Sequence, residues 1–208
     1  PQTVELHFAL GSLFRRRGET ERAIRMHQNL VERDDLPQDL KLQALAELGQ
    51  DYLKAGLLDR AEEVFEKLRD SSMAEEAKRN LLEIYQLEKD WAKAVVIAAE
   101  LPDVATQKDI AEYYCEMAAA EMIRSKPEVA AGHLRSALER NRKCVRASLL
   151  LGDIEVQQEC FAEAIACWQR IEQQDPTYLA LVAQRLLDAF RKMDRRDEGL
   201  QLLRGYLD

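Results

Sequence analysis

The side chains with reactive chemistry are few and scattered. Three histidines (His7, His27, His133), four cysteines (Cys115, Cys144, Cys160, Cys167) and six serines (Ser12, Ser71, Ser72, Ser125, Ser136, Ser148) are the candidates for base, nucleophile or metal ligand. A zinc or redox centre needs ligands paired at short spacing, as in C-x-x-C. No two cysteines stand that way, and no histidine lies at ligand spacing from a carboxylate or a cysteine. A serine nucleophile needs a strand–turn–helix elbow and phosphate chemistry needs a glycine-rich loop; neither occurs. Acidic pairs such as Glu62-Glu63 and Glu75-Glu76 read as solvated helix faces. His7 and His27 fall at packing positions and are expected in or beside the core, His133 lies on a helix face near Ala130, and Trp91 and Trp168 are expected in the core. The reading is therefore no catalytic residue, no metal ligand and no cofactor in this segment.

The elements that would position any site are helical. The 208 residues are 47% hydrophobic and 33% charged, with only 8 Gly and 5 Pro, a composition that favours helices with one wet face. Net charge is −8, which argues against nucleic acid as a partner, because such binders need a basic stripe. No apolar run reaches the ~18 residues of a membrane span. The cysteines read as buried free thiols of a reducing compartment.

A small residue recurs. Ala23, Ala61, Ala94, Ala130, Ala164 and Gly199 follow one another at 38, 33, 36, 34 and 35 residues. The frame around them is clearest in Leu10-Gly11-x-x-Phe14-x-x-x-Gly18-x-x-x-x-Ala23 and its copy from Leu48 to Ala61. A period near 34 with this frame is the signature of the tetratricopeptide repeat. The expected fold is all-α, a tetratricopeptide-repeat superhelix of about six helix–turn–helix units, roughly 4–36, 42–74, 75–108, 111–143, 145–178 and 180–208, in a single domain over 1–208.

In the first unit, Leu6, Leu10, Leu13 and Phe14 are expected to form the oily face of the first helix. Gly18 and Gly56 are expected to end helices in the left-handed conformation. Lys89-Asp90 replaces the glycine turn in the third unit, with Asp90 as N-cap, and Pro127 opens a helix in the fourth. The alanines mark where two helices cross closely. Pro37 falls in a longer loop around Arg33 to Asp39. The outer end of the last unit lacks a polar capping helix, so it is expected to pack on a further segment or a second copy, which makes a homodimer one expectation. The chain starts at Pro1 rather than Met and reads as a fragment of a longer protein.

In such a solenoid the first helix of each unit lines a groove. The frame places Phe8, Ser12, Arg15 and Arg16 of unit one there, with Gln50, Leu53 and Lys54 of unit two and Arg79, Glu83 and Gln86 of unit three. Cys115, Met122, Ile123, Leu149 and Val156 would give a more apolar floor, and Asp188, Arg191 and Lys192 follow in unit six. This pattern suits a peptide carrying acidic and hydrophobic residues. The cluster Arg15-Arg16-Arg17, with Arg22 and Arg25, reads as a surface for a partner or for an acidic membrane, or as a solvated helix end.

The strings LGSLFRRRGETERAIRMHQNL (10–30) and LGQDYLKAGLLDRAEEVF (48–65) resemble the lipopolysaccharide assembly protein B family, as do IAEYYCEMA (110–118) and the segment 144–152. Arg15, Arg17, Arg22, Arg25, His27 and Gln28 carry much of the likeness, since the repeat frame does not demand them. The resemblance implies a non-enzymatic regulator on the cytoplasmic face of the bacterial inner membrane, anchored by an N-terminal helix. It implies action with the membrane protease FtsH to promote turnover of the deacetylase LpxC, and a rubredoxin-like iron or zinc module outside these residues. Two other readings remain open: a peptide-binding adaptor of another envelope complex, and an accessory repeat segment of a glycosyltransferase.

Overall fold

The computed structural model of the chain describes residues 2–206. Its local logic is set at the turns inside each helix pair. Gly18 and Gly56 have φ of 79° and 72°, left-handed values that cost glycine nothing. The same turn is made by Lys89, Ser125, Glu159 and Asp194, at φ of 58°, 56°, 60° and 59°. Each lies five residues before its member of the small-residue column. Around each, the following amide reaches back to close the helix: Glu19 N donates to the Phe14 carbonyl and Leu57 N to Tyr52, each at 2.9 Å, and Asp90, Lys126, Cys160 and Arg195 repeat the bond. The left-handed residue adds a second bond, as Gly18 N does to the Arg15 carbonyl at 3.0 Å, and this two-bond closure satisfies carbonyls that a helix end would leave open. As expected, the side chain of Asp90 accepts from Lys93 N and Pro127 opens its helix.

Six such pairs give twelve α-helices, and the chain divides between Val104 and Ala105 into two compact units. The first holds α1 (Gln2–Arg16), α2 (Thr20–Val31), α3 (Gln38–Lys54), α4 (Leu58–Leu68), α5 (Ala74–Glu88) and α6 (Trp91–Ala99). The second holds α7 (Gln107–Ile123), α8 (Pro127–Arg140), α9 (Val145–Gln157), α10 (Phe161–Gln174), α11 (Leu179–Lys192) and α12 (Arg196–Gly205), with a 3-10 turn over Pro176–Tyr178. Within each unit every helix packs on the next in sequence. No strand occurs among the described residues.

The column behaves as its spacing requires. Ala23, Ala61, Ala94, Ala130 and Ala164 are fully buried at the seam between paired helices, where a larger side chain would push the helices apart. Four residues further on, a ring presses on a glycine of the preceding helix. Phe65 covers Gly49, where an added Cβ would sit 2.7 Å from the ring, and Trp168 covers Gly152 in the same way. In the third pair the bulk is exchanged, Leu82 taking the glycine place and Ala98 the ring place, both buried. Trp168 is buried as expected, whereas Trp91 is half-buried.

The inner face of α1 departs from the expectation. Leu6 and Leu13 are 56% and 47% exposed, and the inward stripe is Val4, Phe8, Gly11 and Arg15 instead. The helix must offer α2 the glycine on which His27 rests, and that requirement rotates the two leucines outward. The 33–39 segment is a loop between α2 and α3, as its proline predicted, and its Leu36 is buried with Val4, Leu30 and Ala44.

Candidate functional site

In the first pair the ring position four residues after Ala23 is held by a histidine. His27 is fully buried and presses on Gly11 as Phe65 presses on Gly49. Its Nδ1 lies 2.5 Å from Oδ2 of Asp51, also fully buried, which comes from α3 of the next pair. The other oxygen of Asp51 accepts from Arg15 Nη1 at 2.8 Å. Arg15 also donates to the Glu47 carboxylate at 2.6 Å and to the Glu47 carbonyl at 3.1 Å. Burial acts to lower the affinity of Arg15 for its proton; the hydrogen bonds and charges of Glu47 and Asp51 outweigh it and hold the guanidinium above its ordinary value. The sequence reading thus placed His27 correctly in the core and missed its carboxylate, which lies 24 residues away. It also set Arg15 in the groove, whereas its guanidinium is engaged by Glu47 and Asp51 between two repeats.

Beside this network lies a cleft of about 840 Å³. Val4, Phe8, Leu36 and Leu40 form its apolar floor, and Ser12 and Arg16 stand on its wall. Ser12 donates weakly to Glu47 at 3.5 Å. Arg33 on the rim is paired with Asp35 at 2.6 Å. Arg16 is exposed and has no carboxylate partner among the described residues. Phe8, Ser12 and Arg16 therefore line one cleft, which offers an apolar floor and an uncommitted guanidinium.

The other groove candidates scatter. Gln50 donates to the Asn80 side chain at 2.7 Å and ties α3 to α5. Leu53 is half-buried and Lys54, Glu83 and Gln86 are exposed. Arg79 pairs with Glu75 on its own helix and lines a separate cleft of about 340 Å³. Met122, Leu149 and Val156 are half-buried against the cores of the second unit, and the Leu149 carbonyl accepts from the Trp168 indole at 3.3 Å. Cys115 is fully buried rather than part of a floor, because it faces Cys144 across the α7–α9 packing. Of the basic cluster, Arg22 pairs with Glu19 and lies 4.1 Å above the Phe14 ring, a cation–π contact. His7 is half-buried and His133 stacks beside Tyr114. Among the described residues no three His, Cys, Asp or Glu side chains are grouped to hold a metal, and no helix is long and apolar enough to cross a membrane.

Six helix pairs with a buried small residue at the seam, alanine in five and Gly199 in the last, each closed by a left-handed residue, are tetratricopeptide repeats, and models of the tetratricopeptide repeat match residues 6–40 and 116–178. The sequence is 34% identical over 205 residues to lipopolysaccharide assembly protein B of Escherichia coli K12, covering 97% of this chain and 53% of that protein. It is 34% identical over 197 residues to lipopolysaccharide assembly protein B of Haemophilus influenzae, covering 93% and 50%. Over nearly its whole length the chain is homologous to lipopolysaccharide assembly protein B, and it spans about half the length of the curated relatives it matches. A solved structure of MamA is also similar, with 19% identity, 99% of this chain and 91% of that chain covered, and a TM-score of 0.45.

Proposed function

We propose that this chain is the repeat segment of a non-catalytic regulator of lipopolysaccharide synthesis, one that brings the deacetylase LpxC to the membrane protease FtsH at the cytoplasmic face of the inner membrane. The observation that carries the proposal is the family match along nearly the whole chain. The cleft of α1 supports it chemically. Its floor of Phe8, Val4, Leu36 and Leu40 suits an apolar side chain, and Arg16 beside it suits a neighbouring carboxylate. A peptide segment that sets an acidic residue next to an apolar one fits both. Rubredoxin-like metal chemistry, if it accompanies the function, belongs to residues outside this chain.

The test is co-purification of LpxC and FtsH with the full-length protein, wild type against Arg16→Glu and Phe8→Ala. Binding that falls at least tenfold in either variant supports the cleft as the contact. Loss of neither partner in the variants places the contact elsewhere. Failure of the wild type to retain LpxC or FtsH overturns the regulator itself.

A further inference from the structure

Two of the four free cysteines meet in the second unit. Cys115, in the middle of α7, and Cys144, the residue just before α9, bring their sulfurs to 3.8 Å. Cys115 is fully buried. Cys144 is 3% exposed and forms part of the wall of a cleft of about 420 Å³, whose lining holds Lys108, Lys143 and Arg146 together with the carboxylates Glu112 and Asp175; its Sγ donates to Glu112 Oε1 at 3.7 Å. Arg146 is paired with Glu112 and Glu116, at 3.2 and 2.7 Å. Lys108 and Lys143 add exposed positive charge to a chain whose net charge is −8.

We propose that Cys144 and Cys115 form a thiol–disulfide modification site, in which Cys144 reacts with a small anionic disulfide entering the cleft and Cys115 resolves it, bonding α7 to the start of α9. The two sulfurs are set for different parts. The hydrogen bond from Cys115, with help from the Ala147 amide in the first turn of α9, holds the Cys144 thiol below its ordinary value against burial and the Glu112 carboxylate, which push it up. The same hydrogen bond, with burial, pushes the Cys115 thiol up. A thiolate at a helix start is the nucleophilic form, and a protonated neighbour waits for the second step.

The chemistry balances. The Cys144 thiolate attacks one sulfur of a disulfide RSSR, forms Cys144–S–S–R and expels RS⁻. Cys115 then attacks the Cys144 sulfur, its proton passing to the second departing group, which leaves as RSH. Two protein thiols are oxidised by two electrons, and RSSR is reduced to two thiols. The sulfurs must close from 3.8 Å to the roughly 2.05 Å of a disulfide. Cys167, whose thiol is pushed up by burial, and the half-exposed Cys160 serve as internal controls.

The experiment treats the folded chain with oxidised glutathione, blocks remaining thiols by alkylation and maps tryptic peptides without reduction. Trypsin sites at Lys108, Arg124, Lys143 and Arg146 would release residues 109–124 linked to 144–146. The expected result is that linked species, with Cys160 and Cys167 still alkylated. Cys115→Ser should trap glutathione on Cys144, and Cys144→Ser should abolish both adduct and link. Glutathione on Cys160 with Cys144 left alkylatable, or a link that forms only in denaturant, overturns the proposal. The wild-type peptide map decides this even if a variant fails to fold.

Discussion

A buried charge in a repeat core has to be justified by its partners, and Asp51 has two. Removing one member of a buried pair leaves an uncompensated group and costs about 3–5 kcal/mol. Asp51→Ala, which strands His27 and leaves Arg15 with Glu47 alone, is expected to lose that much in urea unfolding. His27→Phe should cost less than half as much, because the ring column accepts Phe65 in the second pair and Asp51 keeps Arg15. An Asp51→Ala chain that unfolds at the wild-type urea midpoint would remove the network from the account of stability. The sequence showed His27 as a core residue but not its partner, since no local pattern joins residues 24 apart. A signal was nevertheless present: Asp51 is a charged residue two places after Gly49, on the inward side of α3, where the helical pattern otherwise buries Leu48 and Tyr52.

At the scale of the elements, the turns are where the sequence was hardest to read. Gly18 and Gly56 announced themselves and Lys89-Asp90 was legible as their replacement, whereas Ser125, Glu159 and Asp194 have ordinary side chains and the same backbone. Their uniformity shows that the pair geometry, rather than residue preference, imposes the conformation. A non-glycine residue held left-handed costs about 1–2 kcal/mol, of which glycine's greater freedom in the unfolded chain returns roughly 0.5–1 kcal/mol. Ser125→Gly and Glu159→Gly are each expected to stabilise by about 0.5–1 kcal/mol. A rise in the thermal midpoint for both would confirm it, and a fall for both would show that the side chains carry stabilising contacts of their own. The outward turn of Leu6 and Leu13 has a related origin. Helical periodicity identified α1, but its phase was set by the contact of Gly11 with His27, which hydrophobicity does not record.

Over the whole chain, an excess of acid groups sets the response to pH. Hydrogen bonds and charge from Lys78 and Arg69 hold Glu100 below its ordinary 4.5, and hydrogen bonds from Thr106 in the capping box of α7 hold Asp109 below 3.8. A carboxyl group lowered on folding contributes stability that is complete above its unfolded value and is lost as pH falls through its folded one. Burial, with Glu62 and Asp59 nearby, raises Glu88 instead, so its charge costs stability at neutral pH and the cost is relieved on acidification. The urea midpoint is expected to change little between pH 7 and 5, then to drop below pH 4.5, with Asp109→Asn flattening the drop; a midpoint that rises below pH 4.5 would contradict the assignment. Fold class, pair number and family were all legible in the sequence, because each repeat states its own pattern. The division into two compact units was not, because the buried column runs through both without a break in spacing. One consequence concerns edits to chain length. The left-handed residue and its buried small residue, alanine or in the last pair Gly199, stay five apart in every pair, while the distance between pairs varies from 33 to 38 residues. Adding one residue inside the five would swing the second helix by about 100° and carry the alanine off the seam, whereas the loop before Pro37 already absorbs extra length. Growth and loss of residues in this lineage should therefore collect between helix pairs and be absent within them, and a single alanine inserted after Leu58 should disrupt a fold that tolerates the same insertion after Asp34.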